Sequence, residues 1–516
     1  MRNMDTRTQL EKERKFDGAT GADLPALDGL SGVADVSTGA PEDLDAVYYD
    51  PDDLRLLSQG VTLRRRTGGH DSGWHLKLPA GPDTRTELQL PLRAGRPGRV
   101  PRELALRTRV WTRGAELAPV AHLHTLRHRT LLLDGSRRTL VEVARDAVSA
   151  TGLRNAHGPA LSTWTEVEAE LVGGRTALLD AVEQRLTLAG LRRSASPSKL
   201  ARALGRDPSA AGPGAIGPAG PGPGSIGAAV TDLLREQQRQ LIALDPAVRA
   251  DEPDAVHRMR IVVRRLRSAL KSHRDLFTAS AEAGIAELAE ELRWLGAVLG
   301  EARDQEVLGE LLGAEIERLG AEECPGPVGE RVAAWAEARY RGSWKAAVQA
   351  LDGRRYFALL DALEGLAARP PLRHRAARRN SGRAFDDCLR RERKRVGRRL
   401  TDATGRGAGP ERDTALHEAR KAAKRARYAG EGAQAALGRP ARRFARRMKA
   451  VQELLGDRQD ALLACRELPR LAAAAHAAGE EGFGYGVLYA AQRAAIARSD
   501  EQLPAALAAV LGSGPH

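Results

Sequence analysis

From the amino terminus to about residue 204 the chain alternates charged and apolar positions in short runs, the period of β-strands with two unlike faces. In Leu10-Glu11-Lys12-Glu13-Arg14-Lys15-Phe16, the side chains of Glu11, Glu13 and Lys15 share one face. Arg64 and Arg66 share a face of the run 61–66. Trp74, Leu76 and Leu78 oppose His75 and Lys77, and Arg85, Glu87 and Gln89 oppose Leu88 and Leu90. Arg127 pairs with Arg129, Glu142 with Asp146, and Glu166, Glu168 and Glu170 oppose Val167, Ala169 and Leu171. Turn residues at 67–69, 79–83 and 134–135 separate the runs, which predicts an antiparallel sheet or barrel.

A one-sided sheet would carry mixed polar residues on its wet face. Here that face is almost wholly Arg, Lys and Glu, which suits a closed barrel with a polar interior for a highly charged ligand. The apolar face then packs outward against helices, one of them the amphipathic segment 174–191 with Ala177, Leu178, Ala181, Val182 and Leu186. Residues 206–227 are Gly, Pro and Ala with almost no charge and read as a linker. From 228 to 512 the chain is rich in Ala, Leu, Arg and Glu at helical spacing, an all-α domain.

The helical half repeats itself. His257-x-x-Arg260-x-x-x-Arg264-Arg265-x-Arg267 returns as His417-x-x-Arg420-Lys421-x-x-Lys424-Arg425-x-Arg427, an offset of 160 residues (417 − 257). Each copy is followed by a similar tail, Leu299-Gly300-Glu301-x-x-Asp304 and Leu455-Gly456-Asp457-x-x-Asp460. The spacing puts each basic set on one helical stripe beside apolar positions such as Ile261, Leu266 and Leu270. The two histidines are candidates either for a hydrogen bond at a helix start or, when protonated, for a phosphate contact.

The formal charge of +14 over 516 residues implies an anionic partner. Aromatics amount to 4%, with Tyr428 alone beside the basic stripes, so base stacking on nucleic acid is disfavoured. Cys324, Cys388 and Cys465 have no metal or disulfide spacing, and no run of about 18 apolar residues spans a membrane. The expectation is a reducing, cytoplasmic protein.

Glu11-x-Glu13-x-Lys15, Tyr49-Asp50, Arg64-x-Arg66, Leu76-Lys77, Arg85-x-Glu87, Arg127-x-Arg129, Asp146, Glu166-x-Glu168-x-Glu170 and Ser198-Lys199 together resemble the CYTH domain of the triphosphate tunnel metalloenzymes, over residues 1–205. Pro51 and Arg127 stand where that family often has Thr and Lys. The resemblance implies an eight-stranded antiparallel tunnel that hydrolyses a tripolyphosphate or organic triphosphate with Mg²⁺ or Mn²⁺. Lys15, Arg64, Arg66, Lys77, Arg85, Arg127, Arg129 and Lys199 would grip the triphosphate; Glu11, Glu13, Glu166, Glu168, Glu170 and Asp146 would hold metal; Lys15, Glu13 and Arg64 would be catalytic. The residue types suit this, since Arg matches phosphoryl oxygens and carboxylates suit hard divalent ions.

The duplicated unit resembles the CHAD domain, which implies two pseudo-symmetric four-helix bundles binding inorganic polyphosphate through His257, Arg260, Arg264, Arg265, Arg267, His417, Arg420, Lys421, Lys424, Arg425 and Arg427. Arg390 to Arg399 would add to that field, and the chain would associate with polyphosphate granules. Alternatives from the resemblance are adenylate cyclase or thiamine triphosphatase activity in the tunnel, or a scaffold that binds polyphosphate without cleaving it.

Overall fold

A computed structural model describes residues 7–17, 24–81, 83–154, 160–205 and 222–512. The chain forms two compact units, Met1–Ala215 and Ile216–His516. Of the expected linker 206–227, residues 206–221 lie outside the described residues.

In the first unit the strands are β1 (Arg7–Asp17), β2 (Asp35–Thr38), β3 (Glu42–Asp50), β4 (Thr62–Thr67), β5 (Gly73–Gly81), β6 (Thr84–Leu90), β7 (Ala118–Leu133), β8 (Thr139–Gly152), β9 (Ala160–Leu171) and β10 (Arg192–Arg193). Antiparallel pairing runs β1-β6-β5-β4-β3-β7-β8-β9, and β9 pairs back to β1, so eight strands close into a barrel and leave no free edge between them. β2 and β10 add at β7 and β1. Four helices accompany the barrel: α1 (Arg55–Ser58), α2 (Arg102–Thr112), α3 (Thr176–Leu188) and α4 (Lys199–Ala203).

The period-two pattern sorts the two faces. Outward-facing Phe16, Val141, Val143, Val167 and Ala169 are buried under Leu178, Leu179, Val182 and Leu186 of α3. This is the helix expected over 174–191, shortened at both ends. On β3, β7, β8 and β9 the inward positions are ionic along part of the strand and turn apolar along the rest. On the face of β8 that carries Asp146, Val148 and Ala150 pack with Trp164 of β9, Leu123 of β7, and Leu200 and Ala203 of α4. That end of the interior is therefore filled by carbon.

The second unit is all helix: α5 (Ile226–Arg249), α6 (Ala255–Ser272), α7 (Glu282–Glu323), α8 (Val328–Leu351), α9 (Arg354–Ala368), α10 (His374–Ala377), α11 (Ser381–Thr404), α12 (Pro410–Gly432), α13 (Gln434–Leu437), α14 (Arg439–Ala477) and α15 (Phe483–Leu511). α6 and α12 carry the two copies of the basic motif, and α7 and α14 carry their tails. α11, α12, α14 and α15 pack around Val396, Leu416, Ala419, Met448, Leu455 and Leu503. In the first copy the partner of α5 and α7 is divided between α8 and α9, where the second copy has the single helix α15. The distal parts of α7 and α14 meet in one further core with α8 and α15, including Leu308, Leu312, Val332, Leu468 and Tyr485. α7 departs from helical geometry at Gly320, where φ is 77°, a conformation that costs glycine little.

Candidate functional site

Inside the barrel, seven cations line one cavity: Lys15, Arg64, Arg66, Lys77, Arg85, Arg127 and Lys199. Glu11, Glu13, Glu87, Glu168 and Glu170 line it as well, with Tyr48, Thr62, Asp71 and Ser198. The register brings them together. β1 sets Glu13 opposite Glu170 and Lys15 opposite Glu168 on β9, and Glu11 opposite Arg85 on β6. Lys199 enters from α4, whose first turn is capped by Ser198 accepting a hydrogen bond from the Ala201 amide.

Most charges in this interior have a partner. The Lys199 ammonium lies 2.9 Å from Asp146, 2.7 Å from Glu166 and 2.7 Å from Glu168. Arg127 forks onto Asp146 at 2.8 and 2.6 Å and reaches Glu168 at 2.8 Å. Lys15 pairs with Glu168 and stands 3.4 Å from Glu13. Lys77 is 2.5 Å from Glu11, Arg85 is 3.7 Å from Glu13, and Arg64 donates to the Tyr48 hydroxyl at 3.2 Å. These pairs fill the space, leaving a free volume of about 60 Å³.

The charge balance is uneven along the cavity. Burial pushes Glu13 up, but Lys15, Lys77 and Arg85 outweigh it and hold its carboxyl at about 2. Glu168 is likewise held well below the usual range, burial being overcome by Lys15, Lys199 and Arg127. Glu170 goes the other way: burial, then Glu11, Glu13 and Glu142, push it up to about 7. Glu11 is also raised, by burial and by Glu87. Glu11 thus keeps Lys77 beside it, whereas the cavity lacks a cationic partner for Glu170 among the described residues.

An acidic group suited to a metal by its oxygens is present. Asp146, Glu166 and Glu168 offer oxygens within 4.8 Å of one another. The Lys199 ammonium already lies at the centre of that triad. Asp146 and Glu166 are buried and do not line the cavity, and the Trp164 indole donates to Glu166 at 2.6 Å. Arg129 also lies away from the cavity lining, paired with Glu142 at 2.6 Å and Glu42 at 3.0 Å. Tyr49 faces outward against Trp74, 5.3 Å between ring centroids, and Asp50 accepts from the amides of Leu56 and Leu57 to start α1. The tyrosine in the cavity is Tyr48, directly across the ladder from Arg64. Its signal is the inward set Leu44, Ala46 and Tyr48.

In the helical unit, α6 and α12 lie together and their basic stripes face one groove of about 1050 Å³. His257, Arg260, Arg264, Arg267, His417, Arg420, Lys421, Lys424, Arg425 and Arg427 line it, joined by Lys271, Arg293, Arg303, Arg395 and Arg399. Thirteen Arg and Lys side chains meet three acids there, Asp304, Glu418 and Asp460, so the groove is strongly cationic. Arg265 turns to the other side of α6, where it donates to Glu431 at 2.8 and 3.1 Å.

The tail motif explains itself in the fold. A Cβ on Gly300 would meet the Arg260 guanidinium at 3.3 Å, and one on Gly456 would meet Arg420 at 3.1 Å. Each arginine lies across its glycine and is steadied by the aspartate one turn on, Asp304 at 3.0 Å and Asp460 at 3.9 Å. His257 is the third residue of α6, but His417 is eight residues into α12, so a shared role at a helix start does not hold. The buried Nδ1 of each histidine has no hydrogen-bond partner among the described residues.

The family model for the CYTH domain matches residues 9–204 and that for the CHAD domain residues 232–469. Two uncharacterized Mycobacterium tuberculosis proteins, from strains CDC 1551 / Oshkosh and H37Rv, are each 39% identical to this chain over 511 residues, covering 96% of both chains. Among solved structures, the CHAD domain of the plant Ricinus communis is 23% identical with a TM-score of 0.45, covering 56% of this chain and 93% of that one. A Hippeastrum protein assigned as an adenylyl cyclase and described as revealing a dominant triphosphatase activity is 13% identical with a TM-score of 0.22, covering 37% of this chain and 93% of that one. No helix among the described residues is long and apolar enough to cross a membrane. The chain belongs to the family of proteins in which a CYTH domain is followed by a CHAD domain.

Proposed function

We propose that the barrel is a metal-dependent triphosphatase and that the helical groove binds inorganic polyphosphate. One observation carries the first part: seven cations and five glutamates, Glu170 among them without a cationic partner, line a single cavity. Lys15, Arg64, Arg66, Lys77, Arg85, Arg127 and Lys199 exchange their carboxylate partners for phosphoryl oxygens as a triphosphate enters, which the scant free volume requires. Asp146 and Glu166 act as positioning residues, fixing Lys199 and Arg127 from behind. Glu13, kept ionised by its three cationic neighbours, accepts a hydrogen bond from the attacking water, while Lys15 and Arg64 neutralise the terminal phosphoryl group. The water oxygen bonds to the terminal phosphorus, the bridging oxygen leaves with its electron pair on the diphosphate, and the proton shed by the water passes to a phosphoryl oxygen of the orthophosphate that is released.

Glu11, Glu13 and Glu170 fit Mg²⁺ or Mn²⁺ by donor type and by the missing cationic partner of Glu170, and a bound ion would supply further neutralisation of the phosphates. The Asp146, Glu166 and Glu168 triad fits less well, because an ammonium already neutralises it. For the groove, thirteen basic side chains with Tyr428 as the sole aromatic lining residue favour a bare phosphate chain over stacked bases.

The test is orthophosphate release from tripolyphosphate, ATP and thiamine triphosphate by the full chain with Mg²⁺ or Mn²⁺, beside a Glu11→Gln, Glu13→Gln variant, with polyphosphate binding measured on both. Metal-dependent release lost in the variant, with polyphosphate binding retained, is expected. Tight metal-dependent binding of tripolyphosphate without release would make the barrel a binding module and sink the enzymatic reading.

A further inference from the structure

The two helical repeats match in their cores and differ in their surface charge. With an offset of 156 residues (455 − 299), Ala289, Leu292 and Leu299 of α7 fall on Ala445, Met448 and Leu455 of α14, and all six are buried. At positions beside them the charge is inverted: exposed Glu287 and Glu290 and half-buried Glu291 on α7 stand where α14 has exposed Arg443, Arg446 and Arg447. On α7 two of the acids are engaged, Glu290 with Arg293 and Glu291 with Arg355 at 2.6 Å, and Glu290 also offsets Arg267 and Lys271 of the groove. Arg442, Arg443, Arg446 and Arg447 of α14 make no ion pair with any described residue.

The placement on α14 also runs against local electrostatics. The amino-terminal end of a helix carries partial positive charge and favours acids there, as Glu282 provides for α7. α14 begins instead with Arg439 and Arg442 and has no acid in its first turn. Four unpaired, exposed guanidinium groups at the positive end of a helix gain nothing from the fold itself.

These arginines adjoin the groove. A second, more open depression of about 730 Å³ starts at Arg427, which also lines the groove, and continues over Arg442, Arg443, Arg446 and Lys449. We infer that this face of α14 is a second anion site, a ramp on which the part of a long polyphosphate chain that overhangs the groove lies, and that the chain leaves the groove on this side and not over α7. The inference rests on the groove holding polyphosphate. It assigns the ramp to chain-length preference: a chain short enough to sit within the groove does not touch it.

The experiment measures binding of short and long inorganic polyphosphate by the full chain, in an Arg442→Gln, Arg443→Gln, Arg446→Gln variant and in a groove variant, Arg264→Gln, Arg420→Gln. All three ramp positions are exposed, so the first variant keeps its core. Long chains should bind the ramp variant about tenfold more weakly, with a plot of log affinity against log salt shallower by about two, since each lost phosphate contact removes roughly 0.7 from the slope for a single-stranded polyanion. Short chains should be unaffected by the ramp variant and weakened by the groove variant. Equal affinity of the ramp variant and the wild type for long chains overturns the inference while leaving the groove reading intact, as does an equal loss for both lengths. Wild-type protein binding neither length overturns the groove reading and the ramp with it.

Discussion

At the scale of single residues, the barrel interior depends on Lys199, which one five-residue helix delivers into a nest of three carboxylates. Lys199→Met leaves Asp146, Glu166 and Glu168 sharing Arg127 and Lys15 alone. Removing one partner of such a buried network costs about 3–5 kcal/mol. The expected outcome is a lower unfolding midpoint in denaturant for the barrel transition of the full chain, read by hydrogen exchange of the barrel strands, together with lost orthophosphate release. Lys424 in the groove presents the opposite case. Burial, then Arg264, Arg420 and Arg260, push its ammonium down to about 6 from an ordinary value of 10.5. Between those two values the unfolded chain holds a proton that the folded chain has shed, so the stability of the helical unit rises with pH across that window and falls toward pH 6. A polyanion in the groove favours the ammonium, so binding near pH 7.5 should take up close to one proton, seen by calorimetry in buffers of different ionisation enthalpy, and Lys424→Arg should abolish the uptake.

At the scale of elements, the repeated tail shows how a glycine serves a charge. Gly300 and Gly456 let the guanidinium groups of Arg260 and Arg420 lie against α7 and α14. Alanine at either place favours the helix by about 1 kcal/mol, and the neighbour it crowds is the end of a flexible side chain. Gly456→Ala should therefore leave the melting temperature unchanged or slightly raised while lowering polyphosphate affinity several-fold, because Arg420 is displaced from Asp460. A fall in both together would mean that the glycine serves packing alone. The strand pattern was equally readable as an element: inward and outward sets alternate as the sequence spells them. The switch of the inward set from ions to Trp164, Val148 and Ala150 was not read, because alternation marks a face without saying what lies across the barrel from it.

At the scale of the whole molecule, the proposed function gives one chain two anion sites of different chemistry, and they should separate experimentally. Chelation of divalent metal by EDTA is expected to abolish orthophosphate release while polyphosphate binding by the helical groove persists. That binding should weaken steeply with added salt, as counterion release requires. If EDTA removed polyphosphate binding too, the barrel would be its main seat. On the proposed function, covalent linkage of the two sites would raise the concentration of phosphate chain ends available to the barrel.

The sequence by itself determined the two kinds of unit, the alternation that builds the barrel, the duplicated basic helix and most of the charged residues that gather in each site. These are local properties, written as a period of two, a period of 3.6 and a repeat. Only the tertiary structure decided which of those charges share a space. Closure of β9 onto β1 sets Glu13 beside Glu170, the entry of α4 puts Lys199 among the carboxylates of Asp146, Glu166 and Glu168, and the rotation of α6 carries Arg265 away from the groove that its neighbours line. Such pairings join residues far apart along the chain, and the distance between them is fixed by how the strands close and the helices pack, which no local pattern encodes.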